Sequence, residues 1–333
     1  MQKKQKIILI ITCLLLLVGF FFALFLIMGG GKTLSITGDK ESLLGNQTFK
    51  KSSFSGMPCE NPETRAFSVD LAQYPETMPL SSISQAEIVI EGPVANPKGI
   101  TRLLAIYQCQ SPEEIGSIRS VRPYMADLAL GFDTIFSSWG GSTAAIQRIK
   151  NLGLDWLDSR VNPAGAFFRK KNVPAPHNGF TSLERLKIAA QSLNMREVNQ
   201  FSGYMFFEEE EVNFSKKDQN LKINYAYPVE YKYDPKTGNY LRFWNDRPMI
   251  DRNTSKQVWA GNVVVMKTKI GVLSAGVVDV KVVGTGQATI YQAGEKIEGI
   301  WQKEDSRARL AFFDEEGKEI KFIPGPIWIE ITQ

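Results

Sequence analysis

The groups in this chain best suited to chemistry gather between Gly116 and Asn178. Arg119 and Arg122 stand three apart in Ile118-Arg-Ser-Val-Arg-Pro123, Arg102 lies in an apolar run just upstream, and the single histidine, His177, sits in Pro174-Ala-Pro-His-Asn178. A guanidinium offers a planar fork of donors that can hold a phosphate or carboxylate by paired hydrogen bonds. On a helical turn Arg119 and Arg122 would share a face; on a strand they would oppose one another. Their other use is internal, as ion-pair partners of Glu91 and Asp127, because a buried guanidinium needs a counter-charge. His177 can carry a proton near neutral pH, act beside Asn178 as a fixed donor to a ligand, or hold its loop through backbone hydrogen bonds. Gly140 and Gly141 permit close backbone approach, and a helix opening at Ser142 could turn its amides toward an anion, although turns use glycine pairs constantly.

Two carboxylates are candidates for catalysis. Glu91 ends an apolar strand, where desolvation would raise its carboxyl and suit it to act as a general acid on a glycan. Such a hydrolysis needs a second carboxylate, and the sequence marks none at the right place, with Asp127 the one candidate. The sequence contains no nucleophile elbow, phosphate loop, zinc motif or dinucleotide fingerprint, so neither cofactor nor metal is expected, and whether a reaction occurs stays open.

Short apolar runs must position these groups. Ala86 to Ile90 and Thr101 to Tyr107 read as strands, Pro123 to Gly131 as a short helix, Phe132 to Trp139 as a third strand, and Ser142 to Leu152 as a helix with apolar residues at helical spacing. Thr181-Ser-Leu-Glu184 resembles a capping box opening another helix through about Leu193. Strands alternating with helices predict an α/β or α+β domain over 78–205. After that the period becomes that of strands, in runs such as Asn262 to Lys267, Lys296 to Trp301 and Ile327 to Ile331, which predicts a β-rich second domain over 206–333. Aromatics there, among them Tyr225, Tyr227, Tyr231, Tyr233, Phe243 and Trp244, could form a sugar-stacking face; cross-strand packing explains them more simply.

The amino terminus sets the location. Residues 7–28 form an unbroken apolar run that, at roughly 1.5 Å per residue, spans a bilayer core of roughly 30 Å as a helix. Lys3, Lys4 and Lys6 keep residues 1–6 in the cytoplasm and send the rest across the membrane. The run exceeds a signal-peptide core, and Cys13 lies too early in it for a lipid-attachment site. Residues 29–77, rich in Gly, Ser, Lys, Asn and Pro, read as a linker. Outside the membrane run only Cys59 and Cys109 remain, as one disulfide or as two thiols. The formal charge of +4 includes the cytoplasmic lysines, which gives no reason to expect nucleic acid as a partner.

Over nearly everything after the linker the chain resembles the YerB-like family of bacterial envelope lipoproteins, a family of unknown function. The resemblance rests on Ser84-Gln-Ala-Glu-Ile-Val-Ile-Glu91, Gly99-Ile-Thr-Arg102, Ile115-Gly-Ser-Ile-Arg-Ser-Val-Arg-Pro-Tyr124 with Asp127, Gly140-Gly-Ser142 and Pro176-His-Asn178, then Tyr233-Asp-Pro-Lys-Thr-Gly238 and Glu298-Gly-Ile-Trp301. It implies a two-domain envelope protein without an assigned reaction. The family is typically tethered through a lipidated cysteine, where this chain carries an apolar helix; and Ser137-Ser-Trp139 stands where relatives tend to have a histidine. The run from Ser117-Ile-Arg-Ser120 through the double glycine to Leu152-Gly-Leu-Asp155 is also similar in layout to the LytR-CpsA-Psr envelope phosphotransferases, which use arginines on a polyprenyl pyrophosphate, but without their acidic pattern for a metal.

Together these features predict a membrane-anchored extracytoplasmic protein in which Arg102, Arg119, Arg122, Asp127, Gly140, Gly141, Ser142, His177 and Asn178 surround an anionic or glycan ligand such as a wall glycan or a polyprenyl phosphate. The competing expectations are a cell-wall enzyme, either a phosphotransferase through the arginines or a glycan hydrolase through Glu91, with His177 the other catalytic candidate, and a structural partner of the wall-synthesis machinery.

Overall fold

The computed structural model describes residues 50–215, 217, 219–272 and 277–333. The expected cytoplasmic segment 1–6, the transmembrane helix 7–28 and the start of the 29–77 linker lie outside them. Among the described residues no helix is long and apolar enough to cross a membrane.

The first correction concerns that linker. Composition predicts an unstructured tether through residue 77, yet Phe54 is fully buried and Phe67–Gln73 forms strand β1, buried along its whole length. Its sequence, Phe-Ser-Val-Asp-Leu-Ala-Gln, places Phe67, Val69 and Leu71 on one face, a period-two pattern too short to stand out from its Gly- and Pro-rich surroundings.

The strands that follow are β2 (Ile88–Pro93) and β3 (Thr101–Tyr107), then α1 (Pro123–Gly131), β4 (Ile135–Ser138), α2 (Thr143–Leu152), β5 (Trp156–Asp158) and α3 (Leu183–Ser192). The β-rich segment contributes β6 (Val229–Asp234), β7 (Asn239–Trp244), β8 (Asn262–Lys267), β9 (Gly284–Gln292), β10 (Glu295–Lys303), β11 (Ala311–Asp314) and β12 (Ile327–Thr332). The chain is therefore mixed α/β first and β-rich afterwards, as its periodicities predict. Ser142 caps α2 by accepting from the Ala145 amide at 3.2 Å. At α3 the cap is Ser182, bonded to the Arg185 amide at 3.2 Å, while Thr181 turns to the Ala166 carbonyl at 2.8 Å; the expected capping box is shifted by one residue.

Ten strands form one sheet in the order β11-β10-β9-β8-β12-β2-β3-β1-β4-β5. The last strand of the chain, β12, lies parallel to both β2 and β8 and so joins the two halves. Its run Ile-Trp-Ile-Glu-Ile is buried on both sides, which is why it reads as nearly continuous apolar sequence. One side of the sheet packs Ile90, Leu104 and Ile106 against Tyr124, Leu128 and Ile149 of α1 and α2. The other packs Val69, Leu71 and Leu103 in a core with Leu183 and Leu186 of α3 and with Tyr231 and Tyr240 of β6 and β7. The tyrosines and Trp244 of the β-rich segment are mostly core: Tyr225, Tyr231, Tyr233 and Trp244 are buried, leaving Tyr227 and Phe243 half-buried.

Candidate functional site

The site forms where β1, β2 and β3 end together. Gln73 pairs with Thr101 and Ala72 with Arg102 across β1 and β3, and Arg102 faces Gly92 across β3 and β2. Beyond its pairing with β4, β1 is flanked by residues 117–119. The Ala72 amide donates to the Ser117 carbonyl at 2.9 Å, the Arg119 amide donates to the Asp70 carbonyl at 2.8 Å, and the Trp139 amide donates to the Arg119 carbonyl at 2.9 Å. Over this segment lies the loop carrying His177. Ser117 Oγ donates to the His177 carbonyl at 2.6 Å, the Ile118 amide to that of Gly179 at 2.8 Å, and a guanidinium nitrogen of Arg119 to that of Pro176 at 3.0 Å. Gln73, Tyr74, Thr101, Arg102, Arg119 and His177 line a cleft of about 240 Å³.

Beside these groups Asp70 is fully buried, and neither of its carboxylate oxygens has a hydrogen-bond partner. Arg102 approaches it at 3.9 Å, too far for a hydrogen bond, and spends one donor on the Ser120 carbonyl. Burial pushes the Asp70 carboxyl up to about 7, against the opposing pull of Arg102, Arg122 and Arg119. Burial likewise lowers Arg102 to about 10 despite the nearby carboxylate. A buried carboxylate with three guanidinium groups around it and no hydrogen bond is a costly arrangement for mere stability and a common one for a binding site. Two further polar atoms lack partners here, Gln73 Oε1 and His177 Nδ1. The His177 ring stacks on Tyr74, with centroids 5.9 Å apart, and burial together with the Arg119 charge lowers its pKa, which favours neutral imidazole at pH 7.

On the opposite side of the sheet Glu91 belongs to a sealed network. It accepts from Thr101 Oγ1 at 2.5 Å, from Gln73 Nε2 and from Arg242 of β7. Arg242 also donates to Glu330 of β12 at 2.7 Å, and Tyr231 Oη donates to the same Glu330 oxygen at 2.6 Å. All three charged residues are fully buried. Gln73 and Thr101 thus touch both the cleft and this network.

The comparisons with known proteins agree with this architecture. Residues 54–196 match the N-terminal domain, and residues 220–329 the C-terminal domain, of DUF3048, a protein family of unknown function. YerB of Bacillus subtilis (strain 168), named there as a candidate lipoprotein, is 30% identical over 276 residues, 81% of this chain and 82% of YerB. The chain belongs to this YerB-like family. The crystal structure of YerB from Bacillus subtilis superposes with a TM-score of 0.75 at 28% identity, covering 85% of this chain and 96% of that one.

Within this YerB-like protein the predicted site residues divide sharply. Arg102, Arg119 and His177 meet at the cleft, and Arg122 stands close enough to act on Asp70, its Nε bonded to the Val94 carbonyl at 3.2 Å. Asp127 does not join them: it holds Arg148 of α2 by two bonds of 3.0 and 2.6 Å. Asn178 faces Arg169, accepting at 2.6 Å. Gly140 and Gly141 are used as a turn, because Val121 pairs against them and the Arg160 side chain covers Gly140, while Ser142 caps its own helix. Glu91 is no free acid facing solvent; Arg242 neutralises it inside the core. The anticipated partners of the arginines are therefore exchanged, with Asp70 in place of Glu91 and Asp127.

Sequence reasoning missed Asp70, Gln73 and Tyr74 because they fall in the supposed linker, and Arg242 and Glu330 because each is a single charge in a β-rich stretch. An acid between Val69 and Leu71, and one between Ile329 and Ile331, were the available signals: charges inside apolar strands require partners. Cys59 and Cys109 form a disulfide with Cα atoms 5.2 Å apart.

Proposed function

We propose that this YerB-like protein is a membrane-attached protein on the outer side of the bacterial cell membrane that binds an anionic ligand in the cleft between Arg119, Arg102 and His177. The observation that carries the reading is Asp70, buried without a hydrogen bond among three arginines, with unpartnered Gln73 Oε1 and His177 Nδ1 close by. Three guanidinium groups against one carboxylate leave an excess of positive charge for a phosphate or carboxylate to neutralise.

The location is supported by the apolar run 7–28 behind its lysines, by a disulfide that suits an oxidising compartment, and by a relative named as a candidate lipoprotein. Binding is favoured over glycan hydrolysis because Glu91 is sealed by Arg242, Gln73 and Thr101 and cannot reach a glycosidic oxygen.

Titration of the full chain in lipid nanodiscs with glycerol 3-phosphate tests the reading. Binding is expected in the native chain and at least about tenfold weaker in Arg119→Ala, the loss of one charge-assisted hydrogen bond. Absence of saturable binding, or an unchanged affinity in Arg119→Ala, would sink it.

A further inference from the structure

A cavity of about 480 Å³ lies beside the arginine cleft rather than within it. Its size falls in the ordinary range of small-molecule sites, roughly 300–1,000 Å³. Met78, Trp244, Met249 and Ile250 line it together with Pro75, Pro79 and Pro248, and Asn245 and Arg247 supply its polar side chains. An unbroken series of rings joins the two hollows. His177 stacks on Tyr74, Tyr74 meets Tyr227 edge-on at 5.8 Å, and Tyr227 packs against Trp244 at 5.0 Å. Tyr74 lines the cleft and the next residue, Pro75, lines the groove.

We propose that the cleft and the groove are one site for an amphiphile, a phosphate-class anion carrying a hydrocarbon chain; the proposal rests on the anion-binding reading above. The head group neutralises Arg119 and Arg102 beside His177, and the chain crosses Tyr74 to lie along Met78, Met249 and Ile250. A sugar is a poorer occupant, because Trp244 is only 8% exposed and cannot offer a flat ring face, and hydroxyl groups would find few partners among proline, methionine and isoleucine. Methionine and proline suit a flexible chain, since the thioether adapts to irregular apolar shapes. Ile250 and Pro248 are exposed without a ligand, so covering them removes apolar surface from water.

The test uses three probes on the full chain in lipid nanodiscs, with empty nanodiscs subtracted: decyl phosphate, decanol and glycerol 3-phosphate. Decyl phosphate is expected to bind at least about tenfold tighter than either of the others. Ile250→Asp, at an exposed position, should remove that advantage while leaving glycerol 3-phosphate unchanged, and Arg119→Ala should weaken both phosphates. If glycerol 3-phosphate binds and the decyl chain adds nothing, or Ile250→Asp has no effect, the joined site is overturned and the anion cleft stands. Decanol binding as tightly as decyl phosphate overturns it equally. If no phosphate binds at all, both readings fall.

Discussion

At the residue scale the decisive group is Asp70. Its carboxyl titrates near 7 instead of the ordinary value near 3.8, because burial penalises the charge more than the arginines reward it. A carboxyl raised in the folded state gives stability that is complete below the unfolded pKa and is lost as pH rises through the folded one. Between pH 5 and pH 8 this residue alone should cost about 2–3 kcal/mol of folding stability. Asp70→Asn keeps the shape and removes the titration, so urea unfolding at the two pH values should show a smaller loss in the variant by about that amount. Equal losses in the two proteins would show that Asp70 is ionised throughout. The same protonation removes the one acid from the arginine cluster, so an anion should bind more tightly below pH 7 in the native chain, and the Asn variant should lack that part of the dependence.

Elements from both ends of the chain are tied together by Arg242. It belongs to β7, yet its acids come from β2 and β12, and its guanidinium lies 4.0 Å from the centroid of the Trp328 ring. Replacing it takes from two buried carboxylates, Glu91 and Glu330, the guanidinium that pairs with both. Arg242→Met should therefore destabilise the fold by about 3–5 kcal/mol, the usual consequence of breaking a buried ion pair from one side. Adding Glu91→Gln and Glu330→Gln to that variant should recover most of the loss. Urea denaturation at pH 7.5 measures both, and a triple variant no more stable than the single one would show that packing of the guanidinium, not its charge, is what matters. Because Gln73 and Thr101 bond to Glu91 and also line the cleft, the single variant should weaken anion binding as well.

Among the described residues one ten-stranded sheet is shared by both family segments, with β12 between β2 and β8. The segment 50–66, ahead of β1, has no long strand of its own and is held by the Cys59–Cys109 bond, by Arg65 and by Phe54. Arg65 Nε donates to the Asp133 carbonyl at 2.8 Å, and Phe54 stacks on Phe201 with centroids 4.5 Å apart. The disulfide closes a separation of 50 residues, for which chain entropy gives about 4 kcal/mol and measured cases about 2–4. A Cys59→Ser, Cys109→Ser double variant should unfold at lower temperature by that equivalent while keeping the same far-UV spectrum. An unchanged midpoint would mean that packing of Phe54 and Arg65 already anchors the segment.

The order of elements, the change from mixed α/β to β-rich, and the need of Arg102, Arg119 and Arg122 for partners followed from local patterns. Periodicity reflects which face of each helix or strand is buried, and isolated cations among apolar runs imply partners wherever the chain goes. Partner choice was decided only in three dimensions. Asp70, Glu91, Glu330 and Arg242 lie 21, 239 and 151 positions apart when Asp70 is measured to Glu91, Glu91 to Glu330 and Glu91 to Arg242, and nothing local to any one of them specifies which acid meets which base. Strand register settled it: the pairing of β1 with β3 set Asp70 and Arg102 on one side of the sheet, and the pairing of β2 with β12 set Glu91 and Glu330 on the other, where a single guanidinium serves both. A side chain's face along a strand is legible in sequence; the neighbour it finds across the sheet belongs to the fold.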